Sequence, residues 1–337
     1  LMTRRPPRST PSNSSAASDV YKRQIHYRSQ TDKPQTTSSK LQELKGCHYL
    51  IITLTFVVIV FALYFANLKP VLAGKQLLTA LQHIKEGKSP AVVLGDFDQV
   101  FAYKTFGTGE AREQLAGYAN QLAGSMNVSR EDKIRVLNKA IEEMEKQVQQ
   151  APNDARYYIF LGGLYGKAGR FNEALRALDK ALRLSPKKQQ IYFVIADTYM
   201  GLGQNEKALE ALEQAYNLDR AYREAAKNVA LVAIINNKQD YAEEILTKHF
   251  GRAIIADRQL INAYAKVGNY EKVAEIWQEF LKRDPNNAQY HVSLAATYVQ
   301  LNRREEAIAE LEKAVELKPD FKAQAEYYLS LIHISEP

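Results

Sequence analysis

The side chains that could do chemistry in this chain are few and do not group. His26, His48, His83, His249 and His291 are scattered, with no second ligand at metal-binding spacing. A zinc centre needs three or four ligands brought together, so these histidines are expected to be surface or groove residues. Cys47 is the one cysteine, which excludes an intrachain disulfide framework. Gly87, Lys88 and Ser89 resemble the end of a phosphate loop, but Gln82 stands where the first glycine is required and no buried strand precedes it. A flexible loop after a short helix is the expectation. Neither a Ser-His-Asp nor a Cys-His grouping can be drawn from the order of residues. Asn127, Val128 and Ser129 form an acceptor sequon, yet Ser129 with Asp132 three positions on is better explained as a helix start. No catalytic residue, cofactor or metal is therefore predicted, and the chain is expected not to be an enzyme in the portion present.

The organisation lies instead in a register of 34 residues in the second half. Tyr158, Leu161, Gly162 and Tyr165 are followed by Gly169, Ala174, Leu178, Ala181 and Pro186. Tyr192, Ile195, Ala196, Tyr199, Gly203, Ala208, Leu212 and Ala215 repeat the pattern. It returns as Leu260, Tyr264, Gly268, Trp277, Phe280 and Pro285, and again as Leu294, Ala295, Tyr298, Ala307, Leu311, Ala314 and Pro319. Small residues at Gly162, Ala196 and Ala295 would let the two helices of a hairpin approach closely, with Ala174, Ala208 and Ala307 answering from the second helix. Tyr165, Tyr199, Tyr264 and Tyr298 would fill the space between hairpins. Gly169, Gly203 and Gly268 suit left-handed caps on the first helix, and the prolines close the second. A degenerate copy keeps Val229, Ala230, Ala233, Ala242 and Leu246 but places His249 where a small residue belongs, and the step to the next copy is short. Either the superhelix bends there or the loop after Phe250, with Gly251 in it, is irregular.

These residues and offsets resemble the tetratricopeptide repeat. The resemblance implies an all-α fold, an α-solenoid of helical hairpins over residues 151–328, with about five repeats and a truncated sixth opening at Ala323. It also implies a concave face, lined by the first helix of each hairpin, that binds a protein or peptide. On the side opposite the packing positions lie Ile159, Phe160, Phe193, Val194, Asp197, Arg258, Asn262, Lys266, Val292 and Ala296, the candidate partner groove. Phe160 and Phe193 could equally pack between hairpins. The clamp of Lys and Asn by which some repeats of this family hold a terminal carboxylate is not matched, since Ile159 and Gly163 occupy those places.

Residues 18–24 (SDVYKRQ) and 329–337 (LSLIHISEP) look like the two strands of one transposon-type sequencing adapter read as protein. The codons CTG TCT CTT ATA CAC ATC T encode LSLIHI, and their reverse complement, read one base in, encodes DVYKRQ. Residues 1–24, expected disordered, and 329–337 are therefore expected to be adapter-derived and are excluded from fold reasoning. Without the charges in them the 45 basic and 38 acidic residues become 40 and 36, and the net charge falls from +7 to +4. Lys and Arg alternate with Glu and Asp along the repeats, so a solvated helix surface is expected and no nucleic-acid partner.

Residues 49–66 (YLIITLTFVVIVFALYFA) carry no charge and are long enough to cross a hydrocarbon core, with Tyr49 and Tyr64 near the interfaces. One transmembrane helix is expected. Arg28, Lys33, Lys40 and Lys45 precede it, against Lys69, Lys75 and Lys85 after it. This bias places the basic segment 25–48 in the cytoplasm and the repeats outside the cytoplasmic membrane. Residues 67–150 are expected to be helical and juxtamembrane. Short amphipathic helices are predicted over 75–85, with Leu77, Leu78, Leu81 and Ile84 on one face, and over 109–123, with Leu115, Tyr118 and Leu122. A longer one from Ser129 carries Ile134, Leu137, Ile141, Met144 and Val148 and should cap the first repeat.

The order of a last span, NLKPVLAGKQLLTAL (67–81), FAYKTFGTGEAREQL (101–115) and then repeats resembles the C-terminal part of bacterial O-antigen ligase-like membrane proteins over residues 40–151. In that family the Thr-Phe-Gly stretch, here Thr105, Phe106 and Gly107, joins helices after the final span. The resemblance implies a glycan transferase whose catalytic part lies upstream, and it carries no catalytic residue into this chain. The leading expectation is a membrane-anchored scaffold for protein–protein interaction in a bacterial envelope assembly. The ligase arm is the alternative, and repeats that only drive self-association are a third.

Overall fold

The computed structural model describes residues 22–23 and 47–334, and every described regular element is helical. Of the expected adapter-derived ends, 1–21, 24 and 335–337 lie outside the described residues, as does most of the basic segment 25–48; Lys22 and Arg23 are helical. Two compact units are present, Leu1–Leu72 and Ala73–Pro337.

In the first unit, α1 (Cys47–Leu63) is followed by a π-helical turn, Tyr64–Leu68. Pro70 accompanies the widened turn: it has no N–H to donate to the Ala66 carbonyl, and the Lys69 N–H before it donates to the Tyr64 carbonyl, five residues back. Ile51, Leu54, Phe56, Val58 and Phe61 are all exposed. The helix Ile51–Lys85 is long and apolar enough to cross a membrane by length and composition.

Helix α2 (Lys69–Lys85) belongs to the second unit from Ala73 onward, and α3 (Pro90–Ala102), α4 (Thr108–Ala123) and α5 (Arg130–Gln150) follow. Helix α3 lies in the region expected to be helical, but the sequence pattern singled out no helix over these residues. Val92, Val93 and Gly95 are weak helix formers, but Ser89 and Pro90 start the helix, and Val93 and Phe97 bury completely in a core shared with Leu115, Ala140 and Met144. Gly87, in the predicted loop, has φ +69° and simply closes α2. On α2 the buried face runs through Ala73 and Ala80, with Leu77, Leu81 and Ile84 half-buried, so Leu78 is exposed rather than on the packed face. The Ser129 cap forms as expected, its Oγ accepting from the Asp132 N–H at 3.1 Å. The stripe on α5 is displaced, however. Val136, Ala140, Ile141 and Met144 bury, and Ile134 stays 48% exposed.

Sequence periodicity also passed over a buried polar bridge from α4 to α5. Arg112 Nε donates to Glu143 at 3.2 Å, and its Nη1 donates to Gln147 and Gln150, both at 2.7 Å. Arg112 and Glu143 are each about one-twentieth exposed. Two charges are tolerated at such burial only because each satisfies the other.

Five hairpins follow among the described residues: α6 (Ala155–Lys167) with α7 (Phe171–Leu184), α8 (Gln189–Gly201) with α9 (Asn205–Leu218), α10 (Arg223–Ile235) with α11 (Gln239–Phe250), α12 (Arg258–Lys266) with α13 (Tyr270–Arg283), and α14 (Ala288–Gln300) with α15 (Arg304–Leu317). A 3₁₀ turn, Pro319–Phe321, leads to α16 (Lys322–Ile334), which runs past the expected boundary at Tyr328. Leu161, Leu164 and Tyr165 of α6 share a core with α5, which covers the first hairpin. The left-handed caps appear at Gly169 (φ +74°), Gly203 (+72°) and Gly268 (+74°), while Asn237 and Asn302 (both +57°) supply the same conformation in hairpins without a glycine.

The irregularity after α11 resolves as a shortened helix. The other first helices have 13 residues, but α12 has 9, one turn less. The missing turn is taken up by the loop 251–257, which sends Ile255 and half-buried Ile254 into the core in its place. Asp257 then restarts the helix, accepting from the N–H groups of Gln259 (2.8 Å) and Leu260 (3.2 Å). The tyrosine of this hairpin also differs from two of its equivalents. The Tyr165 hydroxyl donates to Glu145 at 2.6 Å and Tyr298 pairs with Gln278 at 2.9 Å, but the equivalent Tyr264 is fully buried and its hydroxyl is without a partner among the described residues. Burial, and then the charge of Glu243, push the Tyr264 phenol up to about 12.

Two outcomes follow for thermal melts of the detergent-solubilised chain, monitored by helical circular dichroism. Tyr165→Phe is expected to cost about 1 kcal/mol, whereas Tyr264→Phe, which removes only an unpaired group, should cost nothing or stabilise. Gly162→Leu is expected to cost about 1–3 kcal/mol by overpacking, because even a Cβ there would lie 2.6 Å from Leu178 Cγ.

Candidate partner groove

Four of the candidate groove residues come together. Ile159 and Phe160 of α6 and Val194 and Asp197 of α8 line one pocket of about 470 Å³ on the face formed by first helices. The hairpin offset accounts for this, since residues 34 apart occupy equivalent places on successive first helices: Phe160 corresponds to Val194 and Gly163 to Asp197. Gly163 and Gly166 leave the floor without side chains, Phe171 covers Gly201, and Gln190, Lys167 and Asn120 add polar groups at the walls. Asn120 comes from α4, outside the repeats, so no periodic signal could have announced it.

The polar groups here are uncommitted. Thr198 Oγ1 donates to the Val194 carbonyl at 2.7 Å and is satisfied within its own helix. Among the described residues, however, no hydrogen bond or ion pair engages the side chains of Asn120, Lys167, Gln190 or Asp197. Asp197 is exposed, yet its carboxyl lies close enough to the pocket wall to lose part of its hydration. Desolvation raises its carboxyl above the ordinary aspartate value, and the Lys167 charge opposes this only in part.

The remaining candidates are not gathered into this pocket. Phe193 is half-buried against the core of the middle hairpins, its ring 6.4 Å from that of Tyr222, which is the packing role open to it from the sequence. Val292 is 1% exposed, so it belongs to the interior and is withdrawn from the groove; on α14 it lies beside buried His291 and Leu294. Ala296 is half-buried. Arg258, Asn262 and Lys266 are exposed along one side of α12.

His83, His249 and His291 each have a protein partner. His83 Nδ1 lies 2.7 Å from Asp96 Oδ2, and His249 Nε2 lies 2.8 Å from the Tyr216 hydroxyl. His249 thus fills its small-residue place by turning edge-on to Tyr216, and desolvation with the charges of Lys248 and Arg223 lowers its pKa. His291 is buried rather than a surface or groove residue, because it bridges the Glu310 carboxylate (2.5 Å) and the Pro285 carbonyl (2.9 Å). No group of three or more His, Cys, Asp or Glu is placed to hold a metal ion among the described residues.

A solenoid of paired helices with an uncommitted first-helix face defines a repeat protein of the interaction class, and comparison places its type. Models described as tetratricopeptide repeat match residues 165–233 and 288–321, and one described as PPR repeat matches 259–284, the hairpin with the shortened first helix. No curated protein matches the chain. Among solved structures, a tetratricopeptide repeat protein from Parabacteroides merdae is similar at 12% identity over 77% of this chain and 98% of its own, with a TM-score of 0.50. The C-terminal part of a repeat-containing protein from Cytophaga hutchinsonii aligns at 17% identity over 65% and 88%, with a TM-score of 0.45. YrrB, described as a repeat protein with an unusual peptide-binding site, aligns at 20% over 56% and 99%, with a TM-score of 0.39. The chain carries tetratricopeptide repeats in an all-α, solenoid-like fold.

Because the folded state holds the Asp197 proton more tightly than the unfolded chain, stability falls as pH rises from about 4 through the raised folded value. Asp197→Asn should therefore raise the melting temperature at pH 7, with the gain vanishing below about pH 4. A gain independent of pH between 3 and 7 would contradict the desolvation of this carboxyl.

Proposed function

We propose that this protein is a membrane-anchored scaffold whose first-helix face binds a segment of another protein in a bacterial envelope assembly, with no catalysis in the portion present. One observation carries the reading. The pocket between α6 and α8 joins apolar walls, a glycine floor and four polar side chains that have no hydrogen-bond partner among the described residues. An exposed concave site of that composition suits an extended or helical peptide, whose backbone and side chains would satisfy those groups. The exposed apolar residues of α1 favour an anchor in the cytoplasmic membrane, and the basic bias before them favours repeats on the extracytoplasmic side.

A second reading, the C-terminal arm of an O-antigen ligase-like glycan transferase, draws on the stretch Thr105, Phe106 and Gly107, which lies between α3 and α4. Genomic sequence upstream of Ile25 encoding many further spans would favour it over the adaptor.

A photo-crosslinker at Gln190 or at Asn120 is expected to trap the same protein in membranes of the source cells, and one at Glu210 on α9 to trap none. Val194→Arg should abolish the trapped product while leaving the chain in the membrane fraction. In spheroplasts, external protease should remove the repeats; shielded repeats would reverse the proposed orientation.

A further inference from the structure

The composition of the pocket indicates what kind of segment it takes. Asp197 is the one carboxylate lining it, and no described side chain or backbone N–H is bonded to that carboxylate. Lys167 is the one cation in the lining, at the exposed C-terminal end of α6, and it is too far from Asp197 to form an ion pair. Two aromatic rings face the same space, Phe160 and Phe171. Phe171 is held there by Gly201: a Cβ on that glycine would stand 2.5 Å from Phe171 Cε1, so the ring lies directly over it. On Gly163 and Gly166 a Cβ would come into ordinary van der Waals contact, with Val194 Cγ1 at 4.0 Å and Thr198 Oγ1 at 3.8 Å, so these two glycines leave room for an atom or two of a ligand on the floor.

A carboxylate with no hydrogen bond or ion pair, lining the same pocket as two aromatic rings over a floor with no side chains, is the environment in which a cation with an aliphatic stem is stabilised. The charge meets the carboxylate, the stem lies on the rings, and the ring faces attract the cation. An acidic group would be repelled by Asp197, and a purely apolar one would leave that carboxylate further desolvated.

We propose that the pocket between α6 and α8 is a slot for a lysine or arginine side chain on an otherwise apolar segment of the partner protein. The slot rests on the reading of this face as a protein-binding groove and specifies its ligand. Arg258 and Lys266, on α12, lie outside it.

The test uses the full chain in detergent micelles and fluorophore-labelled, end-blocked pentapeptides Ala-Leu-Xaa-Leu-Ala, with Lys, Arg, Gln or Glu at the centre, read by fluorescence anisotropy. The Lys and Arg peptides are expected to bind about tenfold tighter than the Gln and Glu peptides. Asp197→Asn should erase that difference, and Phe160→Leu should weaken Lys and Arg binding a few-fold while leaving the Gln peptide unchanged, each with an unaltered helical spectrum. Equal binding of all four peptides, or a basic preference that survives Asp197→Asn, overturns the slot while leaving the groove as a peptide site. Binding of none also overturns it, and crosslinking from Gln190 then decides separately whether the face meets a protein at all.

Discussion

The close approach of the two helices in each hairpin is the constraint on which the repeat region depends. Gly162 has no room even for a methyl group against Leu178, and Ala196, Ala230 and Ala295, at the equivalent position of the second, third and fifth hairpins, are essentially inaccessible to water. Once these backbones are in contact, the larger side chains have only one way to fill the remaining space. Leu178, Ile191, Leu246, Leu260 and Leu294 then bury completely between helices. Each hairpin still leaves an apolar side that only its neighbour can cover, so stability is shared along the stack. The cores reflect this, the largest running without interruption from α8 to α13.

Deviations from the repeat are absorbed locally. Losing one turn of α12 could have opened the core, but loop 251–257 returns Ile254 and Ile255 to it, and Asp257 rebuilds the helix start while also pairing with Lys227 at 3.2 Å. The residual cost is confined to the orphaned Tyr264 hydroxyl and the histidine that replaces a small residue. The N-terminal end is managed differently. There α5 covers the first hairpin with an apolar stripe and is locked to α4 by the buried Arg112 network, which holds Asn120 at the edge of the pocket.

The division of labour between the two faces of a first helix explains why a groove can form at all. Packing consumes the residues that meet the second helix and the next hairpin, leaving the opposite side free of structural duty. Across α6 and α8 that side collects glycines and uncommitted polar groups, whereas on α14 Val292 and His291 are drawn inward by packing and by the Glu310 and Pro285 contacts. The site is thus concentrated at the first two hairpins and α4.

Most of the repeat architecture was legible in the residues alone: the hairpins, the small-residue contacts, the glycine caps and the irregular step after Phe250 all follow from local geometry that recurs at a fixed offset. The apolar length of residues 49–66 was equally plain. Tertiary structure alone decided what depends on partners distant in sequence. It set the bounds of the helix Pro90–Ala102 and buried its Phe97, and placed Arg112 against Glu143. It also took Val292 out of the groove and brought Asn120 beside Asp197. Periodicity reports which face of a helix is apolar, but which of those faces meets another element, and which polar side chains are left facing one pocket, is set only when the helices pack.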